Sequence, residues 1–124
     1  MKIVSYRDLT VWQKAMELAI KVYFVTKAFP KEELYGLTSQ IRRAAFAIPA
    51  NIAEGYARGH LAEYQQFLRI AFSSGAELET HLLIAHRVHL LKEEDFSRLS
   101  DTISEVMRML NGLMQKLRRS KSLH

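Results

Sequence analysis

A proline lies inside a segment whose hydrophobic spacing is otherwise that of one continuous amphipathic helix. The segment comprises residues 40–55, with Pro49 in its second half. Proline inside a helix removes one N–H donor and clashes with the carbonyl group four residues back, at a cost of about 3 kcal/mol. The fold must recover this free energy elsewhere, so we predict a helix that is kinked at Pro49.

Three residues that follow the proline within two turns are predicted to accommodate the kink: Asn51, Glu54 and Gly55. We expect Asn51, or a neighbouring helix, to satisfy the carbonyl group freed near Ala45, because an unpaired buried polar group costs about 1–3 kcal/mol. Glu54 is expected to pair with an arginine, and Gly55 to allow close packing because it has no Cβ.

Apolar residues recur every three and four positions along the chain, which predicts four helices and no strand. The first helix ends at Phe29-Pro30, because the residue before a proline is pushed out of the α conformation. The second is expected at about residues 37–58, the third at about 61–89, and the fourth after the acids at 93–95. Such short connections join antiparallel neighbours. The predicted fold is therefore all-α, an up-down-up-down left-handed four-helix bundle with a proline-kinked second helix.

The length of 124 residues predicts one domain, with the bundle at residues 1–119 and a basic flexible tail at 120–124. The absence of cysteine excludes disulfides, thiolate zinc sites and cysteine nucleophiles. No apolar run has the length of a signal peptide or a membrane span. These features favour a soluble cytoplasmic protein that does not act at a membrane.

The motifs contain no catalytic constellation. A metal site in a helical bundle would need Glu-x-x-His pairs on two helices, and the nearest candidates are Glu77 with His81 and His86 with His89. Neither pair has matching ligands on another helix. The serines lack a glycine-framed turn, and the glycines are scattered rather than gathered in a phosphate-binding loop. We therefore expect no metal, no cofactor and no enzymatic activity.

The net charge of +5 is concentrated near the carboxyl end. Residues 1–105 contain 13 basic and 13 acidic side chains, so the excess comes from Arg108, Lys116, Arg118, Arg119 and Lys121. A basic end is typical of an arm that binds nucleic acid or an acidic partner. The alternative is a cationic last helical turn, favoured by the helix dipole, followed by a solvated tail.

Two adjacent arginines, Arg42 and Arg43, lie in the second helix. Neighbours in a helix point about 100° apart, so at least one of them must reach solvent or a partner. Together with Arg58 and the basic carboxyl end they could form a phosphate-binding surface, which supplies affinity without sequence specificity. The alternative is an ion pair with Glu54 or with acids of a neighbouring helix or subunit.

More apolar residues are present than one bundle needs. A core-facing helix uses about three positions in seven, yet the first and third helices each carry a second apolar stripe, and Phe24, Phe72, Met109 and Met114 flank the stripes. Large exposed apolar patches usually mark interfaces. We therefore predict a homo-oligomer.

Several motifs together resemble one known family. They are Tyr6-Arg-Asp-Leu-Thr-Val-Trp-Gln-Lys-Ala15, Phe29-Pro30, Glu33-Leu-Tyr-Gly-Leu37, Gln40-Ile-Arg-Arg-Ala44, Ile48-Pro-Ala-Asn-Ile-Ala-Glu-Gly55, Glu63-Tyr64 and Phe67-Leu68. The chain resembles the bacterial four-helix-bundle proteins encoded by intervening sequences in 23S ribosomal RNA genes, and their stand-alone relatives. The family typically has serine where this chain has Ala47.

The resemblance implies a kinked up-down bundle, assembly into a ring-like homopentamer, and no catalysis. It also implies kinship with accessory proteins of diversity-generating retroelements, which bind nucleic acid and a reverse transcriptase. Nucleic-acid binding comes to this chain only by analogy of fold.

Two hypotheses of function follow. The first is a non-catalytic homo-oligomer that contacts RNA or DNA backbones through basic side chains. The candidate contacts are Arg42, Arg43, Arg58, Lys116, Arg118, Arg119 and Lys121. The second is an oligomeric scaffold that recruits a protein partner, such as a reverse transcriptase, and whose basic residues only form ion pairs.

Overall fold

The computed structural model describes residues 3–120, and within this range the chain is all helical. A 3₁₀ turn at Tyr6–Asp8 precedes helix α1, Thr10–Thr26, and a second 3₁₀ turn at Lys31–Glu33 leads to α2, Leu37–Ala57. Helix α3 comprises Leu61–Arg87 and α4 comprises Glu93–Arg118. The prediction of four helices and no strand is confirmed for the described range. Most of the predicted tail, residues 121–124, lies outside it.

The four helices form a bundle in which each helix packs against two others. Each helix contacts the next one along the chain, and α1 also contacts α4, whereas the diagonal pairs do not approach each other anywhere in residues 3–120. The connections after α2 and α3 are short, so these helices run antiparallel. The end of α1 contacts the start of α2 through Thr26 and Arg42, so this pair is antiparallel too. The left-handed twist of the bundle stays a prediction.

Glycine and proline mark the ends of the helices, as the sequence indicates. Pro30 follows α1, and Gly36 immediately precedes α2. Gly59, between α2 and α3, has a φ of +76°, a conformation that side chains rarely adopt. At the end of α3 the backbone N–H groups of Leu90 and Leu91 donate to the carbonyl oxygen of Ala85, which closes the last turn.

The core consists of aliphatic side chains from all four helices, spaced by three, four and seven residues. The large side chains that are almost completely buried are Leu18, Val22, Ile41, Ile48, Ile52, Tyr64, Leu68, Leu78, Leu82, Ile103, Val106 and Leu110. On α2, α3 and α4 these are the inward-facing positions that the spacing predicts. On α1 the spacing gives two apolar stripes, and the structure decides that the one with Leu18 and Val22 faces the core. The hydrophobic pattern therefore accounts for the core on three of the four helices.

Helix α2 continues through the buried Pro49, and the kink there stays a prediction. The partner proposed for Asn51 was wrong: its Nδ2 donates to the carbonyl oxygen of Ala47 at 2.7 Å, not to that of Ala45. The reason is reach, because residues four apart lie one above the other on a helix and residues six apart do not.

The other two residues expected to support this segment make contacts of the expected kind. Glu54 Oε2 accepts a hydrogen bond from Arg58 Nη2 at 3.0 Å. Gly55 packs directly against α3, where its missing side chain makes room for Tyr64 and Phe67. The carboxyl half of α2 is thus held close to the amino half of α3.

Candidate functional site

An open apolar groove of about 500 Å³ runs between α1 and α2. We call it the α1–α2 groove; it is lined by Tyr6, Trp12, Met16, Ala19, Ile20, Tyr23, Phe24, Phe46, Pro49, Ala50 and Ala53. Ile20 is 50% exposed, Phe46 is 44% exposed and Phe24 is 62% exposed. The small residues of α2 form the floor, and the aromatic residues of α1 form much of the wall. Four exposed large apolar residues therefore lie on this face, Ile20, Tyr23, Phe24 and Phe46. A second exposed apolar set lies on α3, at Ile70, Leu83, Ile84 and Val88.

The four flanking residues expected to be surplus to the core behave differently from one another. Phe24 is exposed and lies in the groove, but Met114 is buried, and Phe72 and Met109 pack partly against the core. The expectation was therefore wrong for Met114, whereas Phe72 and Met109 are half-buried. Helix periodicity places these residues beside the seam, and the neighbouring helices decide how far each of them is covered.

Arg42 is held within the chain. Its Nε donates to Thr26 Oγ1 at 2.8 Å, its Nη2 lies 3.5 Å from the Tyr23 carbonyl oxygen, and its Cζ lies 4.6 Å from the centre of the Tyr23 ring. The contact with the ring is a cation–π interaction. Arg42 therefore ties the start of α2 to the end of α1, whereas Arg43 is exposed.

Arg58 is also engaged within the chain. It pairs with Glu54 at 3.0 Å and approaches Glu63 at 3.7 Å, and its Cζ lies 5.1 Å from the centre of the Phe67 ring. Of the two readings of Arg58, phosphate contact or ion pair, the structure displays the ion pair. Two acids already neutralise this guanidinium, which makes it a poor phosphate ligand.

The last turns of α4 carry cations with no acid among them. Lys116, Arg118 and Arg119 are exposed, as is Arg108 two to three turns earlier, and none of the four makes an ion pair with the described residues 3–120. Lys121 lies outside the described residues. At 100° per residue these side chains lie within an arc of about 160° around the axis of α4. We call this surface the α4 basic face; its exposed residues are Arg108, Asn111, Gly112, Gln115, Lys116, Arg118 and Arg119.

The basic residues predicted to act together lie at two separate ends of the bundle. In the antiparallel arrangement the end of α4 lies at the same end as Arg58, whereas Arg42 and Arg43 lie near the start of α2. The helical rise of 1.5 Å per residue places Arg43 about 22 Å from Arg58 along α2. The predicted contacts therefore do not form one patch.

Sequence reasoning missed Gly112 as part of the α4 basic face. A Cβ at this position would meet nothing within 4 Å, so no packing inside the described chain requires a glycine there. Glycine in an exposed helix costs about 1 kcal/mol relative to alanine. A shallow depression of about 430 Å³ lies here, lined by Gly112, Gln115, Lys116, Arg119 and Ser120. The sequence signal for this surface was a glycine within a helix, exposed and placed between cationic residues.

No group of three or more metal-ligating side chains comes together among residues 3–120. His86, one of the histidines considered as a ligand, instead makes a 2.5 Å contact with Glu93 and stacks on Phe96 with ring centres 4.4 Å apart. It therefore fastens the end of α3 to the start of α4. No helix in the same range is long and apolar enough to cross a membrane.

Tyr64 is the titratable side chain most affected by the fold. It is 2% exposed and its hydroxyl has no hydrogen-bond partner among the described residues. Burial, with a smaller contribution from Tyr56, raises its pKa from 10.0 to about 12. The ring of Tyr56 contacts it edge to face at 5.7 Å. This hydroxyl is therefore buried in the core.

Comparisons with known proteins show one matching family and a solved structure with the same fold. The family model described as 23S rRNA-intervening sequence protein matches residues 7–112. A crystal structure at 1.70 Å resolution of a protein of unknown function, from the S23 ribosomal protein family of Bacteroides thetaiotaomicron VPI-5482, has the same fold with a TM-score of 0.81. The two chains are 24% identical over 88% of this chain and 98% of that one. No curated protein sequence is significantly similar to the chain.

Proposed function

We propose a function from the premise that this chain belongs to the family of 23S rRNA-intervening sequence proteins. In this proposal the chain is a non-catalytic protein that assembles through the α1–α2 groove and contacts nucleic-acid backbones through the α4 basic face. The observation that carries this proposal is the set of exposed cations on α4, none of which makes an ion pair within residues 3–120. One acid lies beside this set, Glu79 of α3, which lines the same depression as Arg108 and Asn111. Arg43, at the other end of the bundle, does not belong to this face, and Arg42 and Arg58 have structural roles.

The α4 basic face has the chemistry that a phosphate backbone requires. Cations supply most of the affinity for a polyanion and release its counterions. The amide side chains of Asn111 and Gln115 add hydrogen-bond donors and acceptors between the cations. At Gly112 the absence of a side chain allows a backbone to approach the helix closely. Such a surface binds without reading sequence.

The α1–α2 groove supports assembly of several copies. Its wall and floor are apolar and open, and a patch of this kind on a bundle surface is typical of a protein interface. The family resemblance implies a ring of five chains. Repetition of a weak phosphate contact around such a ring would raise the overall avidity for a long strand without any new contact.

The decisive experiment measures the affinity for single-stranded RNA at several salt concentrations. We expect log K to fall with log salt by about 0.7 for each phosphate contacted. Changing Arg108, Lys116 and Arg119 together to glutamine should flatten the slope by up to about two units per engaged chain, for unrelated sequences alike.

A matched control removes the same charge elsewhere. Arg69, Arg87 and Lys92 are exposed and make no ion pair within residues 3–120, and their change to glutamine should leave most of the slope in place. Equal losses in both triple variants would show that net charge matters and the α4 basic face does not. If the wild-type protein does not bind RNA or DNA at about 50 mM salt, where electrostatic attraction is strong, the nucleic-acid function is rejected.

The second candidate is a scaffold that recruits a protein partner, and the α1–α2 groove is the observation that favours it. In that case the protein assembles but shows no salt-dependent RNA binding. A reverse transcriptase is the partner class that the family resemblance implies. The same titration therefore separates the two functions.

A further inference from the structure

The segment that joins α1 to α2 covers a small cavity of about 240 Å³ at the end of the bundle opposite the last turn of α4. This volume is below the range of about 300–1,000 Å³ that holds drug-sized ligands, so any ligand here is small. The residues that matter for its chemistry are Thr26, Lys27, Lys31, Thr38 and Arg42. We call it the Thr38 cavity.

The lining of the Thr38 cavity is cationic. It includes Lys27, Lys31 and Arg42 and no acid, although Glu32 and Glu33 lie in the same connecting segment. A guanidinium has five N–H donors. Arg42 uses its Nε on Thr26 and one Nη2 hydrogen on the carbonyl oxygen of Tyr23. The remaining donors are held in a fixed orientation and are available to an anion.

Thr38 provides an independent indication of a missing partner. The side chain is 2% exposed, and its hydroxyl oxygen Oγ1 has no hydrogen-bond partner among the described residues. Buried polar groups in folded proteins are nearly always paired. The hydrogen of a threonine hydroxyl rotates to suit its acceptor. The unpaired hydroxyl therefore marks a position where an acceptor is absent from the chain itself.

The start of α2 adds to the positive potential of this cavity. Thr38 is the second residue of α2, no side chain caps this helix at Gly36, and its first turn contains no acid. The N–H groups of a first turn have no acceptor within the helix, and the dipole gives this end about half a positive charge. The dipole of α2 therefore favours a negative charge in the cavity, and an anion with several acceptor oxygens accepts from the hydroxyl and the guanidinium together.

We propose that the Thr38 cavity binds a phosphate group, with Arg42, Lys27 and Lys31 as its cationic contacts and the Thr38 hydroxyl as a hydrogen-bond donor. The group comes either from inorganic phosphate or from the phosphorylated end of a nucleic acid. The site lies at the other end of the bundle from the last turn of α4 and does not depend on the proposed nucleic-acid function.

The test is calorimetric titration of the full chain with inorganic phosphate, at constant ionic strength maintained with chloride. We expect saturable binding to the wild-type protein. Thr38→Val keeps the shape of the side chain and removes the hydroxyl, so it should lower phosphate affinity about ten- to a hundredfold. Its melting temperature in chloride should be unchanged or higher, because the hydroxyl lost there had no partner.

Two further variants make the result specific. Thr102→Val removes a hydroxyl that donates to the carbonyl oxygen of Arg98 on α4, and it should keep full phosphate affinity. Lys31→Gln, at an exposed position, should weaken binding and provides a test that does not rely on folding of the Thr38 variant. Absence of saturable phosphate binding to the wild-type protein, or full affinity in both Thr38→Val and Lys31→Gln, overturns the proposal.

The source of the phosphate group is distinguished by competition. A short RNA with a 5′-phosphate should displace inorganic phosphate more strongly than its 5′-hydroxyl counterpart if the site takes nucleic-acid ends. Equal behaviour of the two RNAs, with inorganic phosphate still bound, assigns the site to free phosphate. In both cases Thr38→Val should shift binding of the phosphate group to concentrations about ten- to a hundredfold higher than in the wild-type protein.

Discussion

Gly55 of α2 and Phe67 of α3 lie so close together that a Cβ atom at position 55 would be 2.6 Å from the Phe67 Cβ. Real Cβ atoms do not approach this closely, so a side chain at position 55 would push the two helices apart. The contact lies six residues after Pro49, in the part of α2 that packs against the start of α3. Glycine is therefore required here by packing between helices rather than by backbone conformation.

Gly55→Ala should destabilise the protein. Overpacking of a tight interface costs about 1–3 kcal/mol, and chemical denaturation measures the loss. Gly112→Ala is the matched control, since a methyl group there meets nothing within 4 Å and alanine is the better helix former by about 1 kcal/mol. The two substitutions should therefore have opposite signs. A neutral Gly55→Ala would contradict the close approach of α2 and α3.

Leu78→Ala should destabilise the protein by about 2–5 kcal/mol, as truncation of a buried leucine does. Leu78 is completely buried at the centre of α3. Leu83 on the same helix is exposed, and Leu83→Ala should cost less than about 1 kcal/mol. Thermal unfolding followed by circular dichroism compares the two variants. An unchanged melting temperature for Leu78→Ala would place that residue outside the core.

Phe24→Glu should disrupt assembly without unfolding the bundle. Phe24 is 62% exposed in the α1–α2 groove, and a charge there is unfavourable once another chain covers it. Light scattering coupled to size exclusion should show several chains for the wild-type protein at micromolar concentration and a lower mass for this variant. Ile84→Glu introduces the same charge on α3, at a residue that is 45% exposed, and should keep the wild-type mass.

The measured masses test three points: whether the chain assembles, how many chains assemble, and which surface forms the interface. A wild-type mass of one chain rejects assembly altogether. A dimer or tetramer keeps the groove as an interface and rejects only the ring of five. Loss of assembly in Ile84→Glu, with Phe24→Glu unaffected, moves the interface from the α1–α2 groove to α3.

Tyr64 should make stability depend on pH in the alkaline range. Its pKa is about 12 in the folded chain and about 10 when the chain is unfolded, so above pH 10 the unfolded state loses the proton first. The stabilisation is complete below pH 10 and is lost between pH 10 and 12, by up to about 1.4 kcal/mol per pH unit.

Tyr64→Phe should remove this dependence. At pH 7 the variant should be as stable as the wild-type protein or slightly more so, because the hydroxyl has no partner among the described residues. Tyr35→Phe is the control, since Tyr35 is 92% exposed. Urea unfolding at pH 7, 10 and 11 measures all three proteins. An identical pH dependence in wild type and Tyr64→Phe would assign the effect to other groups.

The sequence predicted the helices and the core because both depend on local, periodic information. Spacings of three and four residues define the buried face of a helix whatever it packs against, and Pro30, Gly36 and Gly59 mark boundaries through their own backbone preferences. The pairing of Glu54 with an arginine was also anticipated, and its partner Arg58 lies four residues away on the same helix. The close packing expected at Gly55 needed α3 to supply Tyr64 and Phe67.

Which basic side chains are available was decided only by the tertiary structure. Arg42 and Arg43 are adjacent and chemically equal, yet α1 supplies Thr26 and Tyr23 to one of them and nothing to the other. The tertiary structure likewise decides that the Thr38 hydroxyl is unpaired. A threonine near the start of a helix is buried or exposed according to the residues that surround it. Periodicity specifies the side of a helix on which a residue lies, whereas burial, pairing and cavities depend on the neighbouring helix. These properties arise only when α1 and α2 pack together.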